Sequence, residues 1–231
     1  MKKIISIVAS VVLAFLPACA QQARPTVAVL GDSYSTFEGF IPKENEVWYH
    51  AKPNLELTDV AKVEQTWWWQ VIKEGGYKMG LINSYSGATV CNTGYDDRDF
   101  TDRSFVTRAL NLGTPDIILI CGGTNDSWAK VKMGGYLYDG WKRADLFYFR
   151  PAMAKMLDEV GRHYPNADVY FILNTQLSDD INTSVKEVCR HYGVPVVQLK
   201  EIDKKHGHPT IKGMRSIADQ VLAAIRNNSK R

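Results

Sequence analysis

The chain is poor in the features that mark several protein classes. Its 231 residues hold only four cysteines, and neither C-x-x-C nor H-E-x-x-H occurs. The usual signatures of a zinc ribbon, a dithiol redox centre and a helical metalloprotease site are therefore missing. Cys19 falls in a leader-like segment. The other three, Cys91, Cys121 and Cys189, are odd in number and irregularly spaced, which excludes a disulfide framework. Neither charge dominates: the formal charge is +3, and Lys2 and Lys3 supply two of those charges. No basic field is left to attract nucleic acid or an anionic membrane. Beyond the N-terminus there is no long apolar run, which excludes a polytopic membrane protein. Repeats, low-complexity stretches and linkers are also missing. With 45% hydrophobic and 23% charged residues, the composition excludes disorder and a coiled coil and fits one globular domain.

The one long apolar run covers residues 4–16 and follows Lys2 and Lys3. It is too short to span a bilayer comfortably and suits the h-region of a secretory signal. Two processing sites compete. Ala18-Cys19-Ala20 fits a small-x-small cleavage site, leaving residues 21–231 as the mature domain. Leu16-Pro17-Ala18-Cys19 resembles a bacterial lipobox, in which Cys19 becomes the lipidated first residue. Both routes place the protein outside the cytoplasm, in the periplasm or on the outer membrane, with membrane contact only through a lipid anchor.

After the leader, strand-like and helix-like segments alternate. Strands are expected over 26–30 (TVAVL), 81–84, 116–121 (DIILIC), 167–173 (ADVYFIL) and 194–199 (VPVVQL). Helical spacing links Val60, Val63, Trp67, Trp68, Val71 and Ile72. A second stripe joins Phe149, Ala152, Met153, Met156, Leu157 and Val160, with Pro151 at its start or at a bend. A third joins Ile181, Val185, Val188, Cys189 and Tyr192, with Ser178 or Asp179 as cap. A last one runs through Met214, Ile217, Ala218, Val221, Leu222 and Ile225. Near-continuous apolar strands between amphipathic helices imply a parallel sheet covered on both faces. The expected fold is α/β, a flavodoxin-like doubly wound sheet of five parallel strands. Functional groups in such sheets gather at the carboxyl ends of the strands. Residues 36–54 and 128–141, rich in Trp and Tyr, read as loops near that rim.

Four polar blocks follow strand ends in order: Gly31-Asp32-Ser33, Ser86-Gly87-Ala88-Thr89, Gly123-Thr124-Asn125-Asp126 and His208-Pro209-Thr210. A lone GDS is weak; four blocks in order, each placed by the topology on one rim, are much stronger. Together they resemble the SGNH (GDSL-type) hydrolase superfamily. The run over residues 31–49 (GDSYSTFEGFIPKENEVWY) is similar to a branch common in gut Bacteroidetes. The resemblance implies Ser33 as nucleophile and His208 as general base. It implies an oxyanion hole made by the backbone N–H groups of Ser33 and Gly87 and the side chain of Asn125. These residue types suit acyl transfer. A serine hydroxyl needs an adjacent base to take its proton, and fixed donors must meet the oxyanion that forms.

One position departs from the pattern. The family usually has Asp three residues before the histidine, where this chain has Lys205. Asp203 is the nearest upstream acid and is taken here as the third triad member, the alternative being a Ser–His dyad with a backbone carbonyl holding the ring. Asp32 and Asp126 read as structural. His206 and His208 form H-x-H without further ligands, so no metal site is expected, and the chemistry requires no cofactor. Trp48 and Trp128 are the aromatic candidates for substrate contact. The resulting expectation is an exported, monomeric serine esterase acting on short acyl esters, O-acetyl groups of carbohydrate above all. Two competitors stand beside it: a non-catalytic glycan-binding protein on a degenerate hydrolase fold, and a lysophospholipase or acyltransferase.

Overall fold

The structure, a computed structural model, describes residues 23–228, so the leader and Cys19 lie outside the described residues. Five strands, β1 (Thr26–Gly31), β2 (Lys78–Ser84), β3 (Ile117–Gly122), β4 (Asp168–Leu173) and β5 (Val196–Gln198), form one parallel sheet in the order β2-β1-β3-β4-β5. This is the doubly wound fold that the sequence predicts. Among the described residues six α-helices accompany them: α1 (Trp67–Glu74), α2 (Phe105–Arg108), α3 (Thr124–Ala129), α4 (Phe149–His163), α5 (Asp179–His191) and α6 (Ile211–Asn228). Among the described residues no helix is long and apolar enough to cross a membrane.

The apolar strands are continuous because each face meets its own helical layer. Val27, Val29, Leu119 and Ile172 pack with Trp67, Trp68, Val71 and Met214, from α1 and α6. Ala28, Leu30, Ile118, Ile120 and Phe171 pack with Phe105, Met153, Met156 and Val185, from α2, α4 and α5. Cys91, Cys121 and Cys189 are buried free thiols within these layers.

Several boundaries differ from the sequence expectation. The helix expected from Val60 begins only at Trp67, because Thr66 is extended (φ −71°, ψ 146°) and its hydroxyl donates to the Val63 carbonyl. A separate 3-10 turn covers Val63–Gln65. Strand β2 starts earlier than residue 81, and β5 is shorter than 194–199, since Pro195 cannot donate to the ladder. Pro151 sits in the first turn of α4, where its missing N–H costs nothing. Trp128 lies on α3 rather than in a loop. A two-stranded hairpin, β6 (Lys204–Lys205) with β7 (His208–Pro209), has no counterpart in the sequence reading.

Register places the chemistry. Gly31 of β1 pairs with Ser84 of β2 and with Cys121 of β3. The segments leaving these three strands therefore start level on one rim, at the point where the strand order reverses. Buried Arg108 fastens this corner. It donates to the carbonyls of Gly31 (3.1 Å), Asn83 (2.5 Å) and Arg103 (2.7 Å). Burial pulls its guanidinium down to about 9, with Asp32 opposing, so it stays charged at neutral pH. Arg108→Ala would leave those carbonyls without their donors and is expected to cost about 3 kcal/mol in a denaturant titration. A loss below about 1 kcal/mol would show that water replaces the guanidinium there.

Candidate active site

Asp32 ends the first strand block, and its carboxylate accepts from the Tyr34 N–H (3.0 Å), capping a 3-10 turn over Ser33–Ser35. That cap turns Ser33 out of the sheet line and up to the rim. Trp67 braces the same turn from below, its indole N–H donating to the Tyr34 carbonyl (3.1 Å). Asp32 is wholly buried; burial pushes it up to about 7, opposed by the Tyr34 N–H.

His208 arrives from the other end of the chain on the β6–β7 hairpin. The loop is two residues long, His206 at φ 47° and Gly207 at φ 77°. Positive φ at both positions is the mark of a tight hairpin turn, and glycine at the second makes it accessible. Two tyrosine hydroxyls hold the hairpin down. Tyr34 donates to the Gly207 carbonyl (2.5 Å) and Tyr49 to the Pro209 carbonyl (3.0 Å). Lys204 anchors its outer side through Thr175 Oγ1 (2.8 Å).

This arrangement brings His208 Nε2 to 3.0 Å from Ser33 Oγ, across 175 positions of sequence. His208 Nδ1 lies 3.1 Å from the His206 carbonyl oxygen. A carbonyl oxygen only accepts, so in the neutral ring Nδ1 carries the hydrogen and Nε2 is left to accept from the serine. Burial pushes the imidazole down to about 4, Lys204 adds to that, and the His206 carbonyl opposes it. At neutral pH the ring is thus a free base facing a serine hydroxyl.

Asp203, expected as the third member, is not brought to the imidazole. Its carboxylate receives the Thr210 hydroxyl, and Thr210 Oγ1 in turn accepts from the Gly213 N–H (3.1 Å). Asp203 thus serves the start of α6. The tight turn is the physical reason: it folds the His206 carbonyl back under the ring and fills the place a carboxylate would take. The H-x-H pair is split by the same turn, His206 exposed and His208 buried.

The second and third blocks meet at Asn125. Its amide nitrogen donates to the Ala88 carbonyl (2.9 Å), next to Gly87. Its oxygen accepts from the Tyr95 hydroxyl (2.7 Å), which fixes the amide's orientation and leaves the second N–H hydrogen uncommitted. Gly87 has φ 81°, and a side chain there would point into open space. The Gly87 N–H has no acceptor among the described residues. Asp126 supports this turn from within, both oxygens accepting from the Val90 N–H (2.9 Å). Of the two aromatic candidates, Trp128 is 42% exposed and meets His208 edge-on, whereas Trp48 lies flat on the imidazole. The His206 carbonyl is the one that the dyad alternative called for without naming it; sequence reasoning missed Tyr34, Tyr95 and the bond that Tyr49 makes to the hairpin. Only the His206-Gly207 dipeptide between two short extended pairs carried a local signal, that of a tight turn.

The family model for GDSL-like Lipase/Acylhydrolase matches residues 25–225. The crystal structure of a candidate GDSL-like lipase from Bacteroides ovatus shares 50% identity, with a TM-score of 0.87 over 89% of this chain and 100% of its own. A second, from Bacteroides uniformis, also shares 50%, with a TM-score of 0.86 over 89% and 97%. A family two carbohydrate esterase from Clostridium thermocellum shares the fold at 16% identity, with a TM-score of 0.60 over 90% of this chain and 65% of its own. No curated protein matches the chain.

The buried imidazole gives a direct test. The native ring takes up its proton near 4, the unfolded ring near 6.5. Between these values the unfolded state holds the extra proton, so this residue lowers stability as the pH falls through that window and has no effect above it. Asp32 and Asp126, both pushed up to about 7 by burial, act with the opposite sign, stabilising as the pH falls from about 7 toward 3.8. A melting curve mixes these effects. The His208 midpoint should therefore be read from imidazole nitrogen shifts in NMR, where a value near 4 is expected and one at or above 6.5 would contradict this environment.

Proposed function

Because the chain belongs to the GDSL-like lipase/acylhydrolase family, we propose that it is a serine esterase releasing short acyl groups, O-acetyl groups of carbohydrate in the first place, with Ser33 as nucleophile and His208 as general base. The observation that carries this reading is the 3.0 Å contact between Ser33 Oγ and His208 Nε2 in a ring whose other nitrogen is held by the His206 carbonyl. Ser33 attacks the acyl carbon as its proton passes to Nε2. The oxyanion is met by the Ser33 and Gly87 N–H groups and the Asn125 amide. The imidazolium then returns the proton to the leaving alkoxide, and water repeats the cycle on the acyl-enzyme. The machine is a dyad, and no cofactor takes part in these steps.

Polar surroundings support a hydrophilic leaving group. Beside the hairpin, at the carboxyl ends of β4 and β5, lies a groove of about 460 Å³. Its exposed lining is polar, with Gln176, Asp179, Thr183 and Lys186, which suits the hydroxyl groups of a sugar. The Clostridium thermocellum carbohydrate esterase shares the fold, which adds support of a general kind. The leader-like N-terminus supports an extracytoplasmic site of action.

Purified protein is expected to hydrolyse p-nitrophenyl acetate faster than the palmitate ester and to release acetate from acetylated oligosaccharides. Ser33→Ala should lower kcat on the order of 10³-fold or more. Equal rates for the two proteins would remove the enzyme reading and favour a glycan-binding protein. Asp203→Asn should change kcat by less than about threefold, against the ~10⁴-fold lost when an orienting carboxylate is neutralised.

A further inference from the structure

Four aromatic rings wall in His208. Trp48 lies parallel to it, with centroids 3.6 Å apart and planes 9° apart. Tyr34 tilts against it at 5.5 Å, Trp128 meets it edge-on at 5.8 Å and Tyr49 edge-on at 6.5 Å. The two tyrosines are explained by their bonds to the hairpin carbonyls. Trp48 is not: its indole nitrogen is buried without a hydrogen-bond acceptor among the described residues. What the indole offers is its face. Its backbone N–H donates to Thr36 Oγ1 (2.9 Å), and that hydroxyl donates to the Ser33 carbonyl (3.1 Å). The ring that rests on the base is therefore tied to the turn that carries the nucleophile.

The chemistry creates a cation where the surroundings are hostile to one. When Ser33 attacks, its O–H bond breaks, the proton passes to Nε2, the Oγ–acyl carbon bond forms and the carbonyl electron pair moves to oxygen. The imidazole is then charged. Collapse breaks the acyl–alkoxide bond, and the leaving oxygen takes the proton. Among the groups facing the ring, Lys204 is positive and Ser33, Tyr34 and Tyr49 are neutral hydroxyls, while the Asp203 carboxylate stays with Thr210. Among the described residues no carboxylate accepts from Nδ1, which is held by the His206 carbonyl. An indole face attracts a cationic ring more strongly than a neutral one, and the difference grows where water is excluded. Such a contact is stronger in the transition state than in the resting enzyme, which is the condition for raising kcat.

We propose that Trp48 is a positioning residue that takes over, through its π face, what a carboxylate does in a triad: it fixes the imidazole plane and stabilises the imidazolium. The proposal rests on the reading of Ser33 and His208 as nucleophile and base. It also reassigns Trp48, whose imidazole-covered face is not free to stack on a sugar.

Site-specific replacement of Trp48 by tryptophans carrying one, two and three ring fluorines withdraws π density stepwise and keeps the ring's shape. The His208 midpoint, read by NMR, should fall with each fluorine. In step with it, kcat for p-nitrophenyl acetate should fall by about tenfold over the series, the scale of a desolvated cation–π contact, with KM steady within about twofold. A constant midpoint overturns the proposal. So does a falling kcat with an unmoved midpoint, because the indole would then act on the substrate. Ser33→Ala runs beside the series. If it retained full activity, the esterase reading would fail, while the midpoint would still report whether the indole stabilises the cation.

Discussion

An imidazole can draw a proton from a serine only when its own second nitrogen is held in one tautomer and one plane. In this chain that constraint is met by the backbone. The His206 carbonyl, folded under the ring by a two-residue turn, takes the Nδ1 hydrogen and points Nε2 at Ser33. Much of the rim is arranged around keeping that turn in place. Two tyrosine hydroxyls pin the carbonyls on either side of His208, and Lys204 ties the hairpin to the β4–α5 connection. A backbone carbonyl moves only with its hairpin, so the orientation of the imidazole depends on the fold rather than on one side-chain rotamer.

The same design sets the electrostatics. Burial keeps the imidazole neutral, a condition for its acting as a base, and Lys204 reinforces it. The acids that remain near the rim are turned to structure. Asp32 caps the turn that carries Ser33, Asp126 accepts from the Val90 and Cys91 N–H groups, and Asp203 holds Thr210 at the start of α6. With the carboxylates occupied in this way, the aromatic rings form the immediate surroundings of the imidazole.

The sheet was legible because its strands are apolar along their whole length, a pattern that only two-sided burial explains. Three of the four site blocks were legible because each is local: a glycine, serine or amide just past a strand end, on the side where parallel sheets gather their ligands; the fourth, with His208, lies on its own hairpin beyond β5. Asp203 misled for a related reason. Proximity in sequence was the only measure available for a carboxylate, and the hairpin's turn reverses the chain between it and the ring. The start of α1 misled because Val60 and Val63 keep helical spacing while lying in an extended loop and a 3-10 turn, both buried against the same layer.

The sequence by itself determined the layered α/β sheet and the rim on which chemistry gathers, both from periodicity, and its resemblance to a known family named Ser33, Gly87, Asn125 and His208 as candidates from short local blocks. The tertiary structure decided what holds the imidazole, which carboxylates stand aside, how Tyr95 orients Asn125 and that Trp48 lies on His208. Those are contacts made across long stretches of chain, fixed by strand register and hairpin geometry, and no local pattern of residues encodes a distance of that kind.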